Sequence, residues 1–151
     1  MPEDGSSYYE NALAKARFGA AAEPEAWILG EDSGIEAAAL GGAPGVRSAR
    51  WAEKGRHIEQ LLDVLEGKEN RRARYVCELV CLSPAGQEYR GTGTLEGTIA
   101  AEPRGSEGFG YDPIFVPEGE KLTVAELGDE WKMENSHRAR AARALLAAVG
   151  D

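Results

Sequence analysis

The chain has 151 residues, 42% of them hydrophobic, and 17 basic against 26 acidic side chains leave a formal charge of −9 at pH 7. Its length suits one domain, residues 1–151, that buries about two-thirds of its unfolded surface. The acidic balance excludes a protein that coats DNA or RNA, since such binding relies on Lys and Arg displacing phosphate counterions.

No run approaches the roughly 18 apolar residues of a membrane span, and the start MPEDGSSYYE has no basic segment followed by an apolar one. A cytoplasmic protein is expected. The charge is uneven: −6 over residues 1–40, +3 over 41–75 and −6 over 76–151. The basic middle block reads as a solvated face or as a partner surface. An anionic ligand therefore has to be met by a few placed lysines, arginines or a metal ion.

In chain order, Ser7 followed three residues later by Glu10 is a capping box, and Tyr8, Leu13, Ala16 and Ala20 recur at helical spacing. This predicts a helix from Tyr8 to Ala22, closed by Pro24. AWIL reads as a short buried strand and IEAAAL as a second one, with the acidic EDSG turn between them. HIEQLLDVLEG is an amphipathic helix through Ile58, Leu61, Leu62 and Leu65 that stops at Gly67. RARYVCELVCLS and EYRGTGTLEGTIA flank the turn residues SPAGQ, which predicts a long hairpin. Cys77 and Cys81 lie four apart on its first strand, so their Cα atoms stand about 13 Å apart, too far for a disulfide. They suit a reducing compartment. A last helix runs from near Ser136 through Leu145 and Leu146 to Gly150. Mixed order of this kind predicts an α/β fold with a mixed central sheet flanked by helices.

Three segments carry candidate chemistry. Glu31 and Asp32 follow an apolar run, and ligands gather at strand ends in α/β sheets. Magnesium suits carboxylates there, because it binds through one or two of them plus substrate phosphates. Adjacent strand residues face opposite ways, so the two acids need not share a role; EDSG also reads as a plain acidic turn. PRGSEGFGYDPIF places Phe109, Tyr111 and Phe115 beside Asp112 on a glycine-built loop, where a ring can stack on a base, or simply anchor the turn. His137 and Arg138 follow Ser136 at a helix start whose free N–H groups can hold an acceptor-rich ligand; an ordinary solvated helix start has the same composition.

Taken in order, ENALAKAR, EDSGIEAAALGGAPGVRSARW, GFGYDPIF and SHRARA resemble the successive signatures of the inosine triphosphate pyrophosphatase family. The resemblance implies a fold of that type and hydrolysis of ITP, dITP or XTP to the monophosphate and pyrophosphate, with magnesium and usually in a homodimer. Asp32 matches the catalytic aspartate that activates water. Glu31 stands where the family usually has another aspartate. With Asp32 and Glu3 it makes up the implied metal-associated set. Lys15 matches the lysine facing the phosphates, and Ser33 falls in the same substrate signature as Asp32. Phe109 would stack on the purine, with Tyr111 and Asp112 shaping its pocket. Lys132, His137 and Arg138 match positions that read the base edge. Arg138 only donates hydrogen bonds, so it suits the O6 acceptor of hypoxanthine or xanthine and opposes the 6-amino group of adenine.

The chain also departs from the family pattern. Members begin with a strand and an Asn- and Lys-bearing phosphate loop that has no counterpart here, so an N-terminally truncated form with weakened turnover and self-association along an exposed sheet edge is expected. The connection after SARW is short. Two classes of function follow: a magnesium-dependent pyrophosphatase, or a nucleotide-binding or interaction protein of the same fold with impaired catalysis. A related pyrimidine-directed pyrophosphatase group is the nearest enzymatic competitor. The donor-rich SHR edge favours purines.

Overall fold

The computed structural model describes residues 7–48, 51, 56–106, 108 and 110–150. The elements are α1 (Tyr8–Ala22), β1 (Ile28–Ala37), α2 (His57–Leu65), β2 (Arg72–Leu82), β3 (Glu88–Ile99), β4 (Phe115–Pro117), α3 (Val124–Leu127), α4 (Asp129–Asn135) and α5 (His137–Gly150). The strands form an antiparallel sheet in the order β1-β2-β3-β4, and with the helices this is the α/β class that the alternating elements imply. Contacts group the chain into two compact units, residues 1–33, 76–94 and 137–151 in one and 34–75 and 95–136 in the other.

In the first unit α1 has the expected bounds, and Ser7 Oγ accepts from Glu10 N at its start. Ala12 and Ala16 pack with Val80 and Leu82, whereas Cys77 and Leu79 pack with Ala141 and Leu145 of α5. Even and odd positions of β2 thus serve different helices, as the two-residue period of a strand requires. The approach is close. A Cβ on Gly30 would lie 2.1 Å from Ala12 O, and one on Gly93 would lie 2.1 Å from His137 O. These glycines and the small helix residues opposite them let helix backbone lie directly on strand backbone.

The expected turn at EDSG is not there. Residues 28–37 make one continuous strand, with Glu31 and Asp32 near its middle rather than at an end. Gly34 reads as a turn residue within EDSG, and Gly30, just before it, is there because α1 leaves no room for a side chain. Only the end of the predicted second strand differs: Ala38–Leu40 is a single 3-10 turn, followed by Gly41 at φ 66°.

The second unit has its core in Ile35, Leu61, Leu65, Tyr75, Ile114 and Phe115. Burying Leu61 and Leu65 fixes α2, at roughly 1.5–3 kcal/mol for each side chain. The hairpin of β2 and β3 agrees with the sequence reading. β4 adds to β3 through Gly97↔Pro117, Thr98↔Val116 and Ile99↔Phe115. β4, α3 and α4 went unread in the sequence, although Thr123 and Glu126 form a complete capping box at the start of α3. No helix among the described residues is long and apolar enough to cross a membrane.

Candidate active site

In the first unit β1 presents its two acids to different helices. Asp32, 7% exposed, turns to α1, where Asn11 Nδ2 donates to its Oδ2 at 3.0 Å and Lys15 Nζ stands 3.6 Å from its Oδ1. Lys15 also donates to Glu31 O at 3.1 Å. Asn11 and Lys15 are four apart and so share a face of α1. Glu31 points the other way, its Oε1 3.0 Å from the Arg138 guanidinium of α5. His137 begins that helix and is buried. Ser33 Oγ is buried with no oxygen or nitrogen partner among the described residues. Beside it lies the Cys77 thiol, which burial pushes up to about 11, so Cys77 is an inert core group. Both cysteines are free.

In the second unit the loop after β3 is held by its own acid. Asp112, 3% exposed, accepts from Tyr75 Oη at 2.8 Å and from Lys132 Nζ at 2.5 Å. Burial first, and then the Asp112 carboxylate, push the Tyr75 phenol well above its ordinary range. Tyr111 is buried beside them, and burial pushes its phenol up to about 12. Gly108 sits at φ 82°, and a Cβ there would lie 2.3 Å from Asp112 Oδ2, so this turn needs glycine.

Of the residues picked from sequence, Asp32 with Lys15, Glu31 with Arg138, and Asp112 with Lys132 come together. Glu3 and Phe109 lie outside the described residues. Asn11 and Tyr75 were missed as partners of the two buried acids. Asn11 left a signal: an amide inside a helix and past its N-cap, four residues before Lys15, is a poor helix former that needs a tertiary reason.

The chemistry of the donor set bears on magnesium. Among the described residues no group of three His, Cys, Asp or Glu side chains converges on one point, and Glu31 does not join Asp32. A protein-only cage is therefore not present among them. Magnesium can bind through a single carboxylate when substrate phosphates supply the other ligands, and a lone carboxylate such as Asp32 fits that donor set.

Asp32 is thus a buried carboxylate set between an amide and an ammonium on a strand of an α/β protein. The chain belongs to the Ham1 family, whose model matches residues 1–148. A dITP/XTP pyrophosphatase of Bdellovibrio bacteriovorus is 42% identical over 151 residues, covering 96% of this chain and 76% of that protein. One of Thermus thermophilus is 46% identical over 158 residues, covering all of this chain and 75% of that one. The Ham1 protein structure of Staphylococcus aureus superposes with a TM-score of 0.91 at 38% identity, over 99% of this chain and 80% of that chain. These findings agree with the family and fold implied by the four segments.

Proposed function

We propose that this chain hydrolyses non-canonical purine nucleoside triphosphates, ITP, dITP and XTP, to the monophosphate and pyrophosphate. The observation that carries the reading is the Asp32 constellation, with Asn11 and Lys15, in a chain 42% identical to a dITP/XTP pyrophosphatase. Asp32 takes a proton from the water that attacks the α-phosphorus, a role that needs a carboxylate within hydrogen-bond reach of that water. Asn11 donates to Asp32 Oδ2 through its amide nitrogen and so orients the carboxylate for that role. Lys15 offsets charge that develops on the phosphates.

Magnesium, when bound, would be held by Asp32 and substrate phosphates and would neutralise charge on the latter. Glu31 and Glu3 are the further acidic groups proposed near it. Phe109 stacks on the base, while Tyr111 and Asp112 shape its pocket and Ser33 contacts substrate. Lys132, His137 and Arg138 read the base edge, where the Arg138 guanidinium can only donate hydrogen bonds. The enzyme is proposed to work as a homodimer in the cytoplasm, where its two thiols stay reduced.

Product identity tests the reaction. Incubation with ITP and magnesium should yield IMP and pyrophosphate in equal amounts. IDP with orthophosphate would place attack at the γ-phosphorus and overturn the assignment of Asp32.

A further inference from the structure

The segment between β3 and β4 carries three glycines in the left-handed region. Gly105, Gly108 and Gly110 have φ values of 88°, 82° and 61°, and glycine restricts the backbone least. Its two ends are fastened. Thr123 Oγ1 donates to Arg104 O at 2.7 Å, Arg104 N donates to Pro113 O at 2.8 Å, and Asp112 is held by Tyr75 and Lys132. Between Arg104 and Asp112, the Tyr75 phenol also meets the Tyr111 backbone, and α2 adds a further fastening: His57 Nε2 lies 2.9 Å from Gly110 O. A carbonyl only accepts, so Nε2 carries the proton and donates. The same ring meets Tyr111 edge-on, with centroids 4.9 Å apart and planes at 81°.

We infer that His57 is a positioning residue for substrate: by donating to Gly110 O it sets the glycine loop that presents Phe109, Tyr111 and Asp112 to the purine. The inference rests on the base-binding role given to that loop under Proposed function. His57 is suited to the task because α2 is anchored in the core of its unit. Leu61 and Leu65 on the same helix are fully buried, and Gln60 Nε2 donates to Trp51 O at 3.1 Å. The hydrogen bond and the ring contact are separable. Phenylalanine keeps an aromatic edge for Tyr111 and loses the donor. Glutamine loses the ring and carries an Nε2–H of similar reach.

The test compares wild type, His57→Phe and His57→Gln with ITP and magnesium, using tripolyphosphate as an inhibitor that lacks a base. For one hydrogen bond that orders the base side alone, His57→Phe should raise KM for ITP about fivefold to tenfold and leave kcat within about twofold. Inhibition by tripolyphosphate should not change, and His57→Gln should recover most of the KM. Equal losses in the two variants, a fall in kcat alone, or weaker tripolyphosphate inhibition would overturn the inference. Amide exchange of residues 104–112 without nucleotide supplies a readout independent of turnover: faster exchange is expected in His57→Phe and near-wild-type exchange in His57→Gln. If the wild type hydrolyses no nucleotide, the reading under Proposed function fails by itself. Identical exchange in all three proteins would then still refute the role of His57 in holding the loop.

Discussion

The two units hold their buried acids by different means. Asp32 sits on a strand, and its partners Asn11 and Lys15 stand one turn apart on a single helix. Its position follows from strand alternation and from the backbone contact that Gly30 permits. Asp112 sits on a glycine-rich loop, and its partners Tyr75 and Lys132 come from β2 and α4. Its position depends on side-chain bonds from elements far apart in sequence. Regular elements hold an atom to within a few tenths of an ångström without help, whereas a loop is only as fixed as its fastenings. In the proposed function the strand-borne group serves bond-making and the loop-borne group recognition.

The largest expected effect would break the first half of that comparison. Asp32→Asn keeps the shape and removes the base, so kcat should fall by about a thousandfold, within the range that general-base removal produces. ITP binding, followed by calorimetry, should persist. A variant that retains more than a tenth of wild-type kcat would move the role of base elsewhere.

The next effect concerns the support rather than the chemistry. Gly30→Ala drives a methyl group into the α1 backbone, 2.1 Å from Ala12 O and 2.7 Å from Ala16 N. Backbone cannot yield as a side chain does. A loss of roughly 3 kcal/mol is expected, seen as a melting temperature lower by about 10 °C. Gly41→Ala serves as a control for the second unit: its Cβ would meet nothing within 4 Å, and the cost would come from φ 66° alone. Equal destabilisation by the two would show that helix contact is not what Gly30 serves.

A smaller effect separates chemistry from recognition. Arg138→Met should narrow the preference for ITP over ATP about tenfold to a hundredfold, the range allowed by 1 to 3 kcal/mol of lost discrimination. Lys15→Met should lower kcat/KM for both nucleotides alike. An equal loss on ITP and ATP in the Arg138 variant would assign that guanidinium to its Glu31 pairing instead.

The smallest effect reads the two cores by pH. Cys77 has its thiol raised from 9.0 to about 11 by burial, and Tyr111 its phenol raised from 10.0 to about 12. The neutral form is favoured in the folded state, so the associated stability is complete below the unfolded value and is lost as pH rises through the folded one. The first unit should therefore begin to lose stability near pH 9 and the second near pH 10. Between pH 8 and pH 10 denaturant unfolding of Cys77→Ala should fall by roughly 1 kcal/mol less than that of wild type. Parallel losses in the two proteins would mean that Cys77 ionises without unfolding.

Much of this was legible before folding. The Ser7 cap and the apolar period of residues 8–22 define α1, and the run from Arg72 to Ile99 around SPAGQ defines a hairpin, because both depend on neighbours a few residues away. The acids, the lysines and the aromatic glycine loop were visible as residue types, and the order of their segments pointed to the family. The sequence reading failed at EDSG, where two acids followed by Ser33 and Gly34 suggested a turn. Glycine signals both turns and close backbone approach, and only the packing of α1 on β1 distinguishes them. The division of labour between Glu31 and Asp32, the support that Asn11 and Tyr75 give to buried carboxylates, and the bond from His57 to Gly110 O link residues 21 to 107 positions apart. No local pattern encodes such pairs, because what selects them is the cost of burying a charged or polar group without a partner, and that cost arises only when the chain has closed around it.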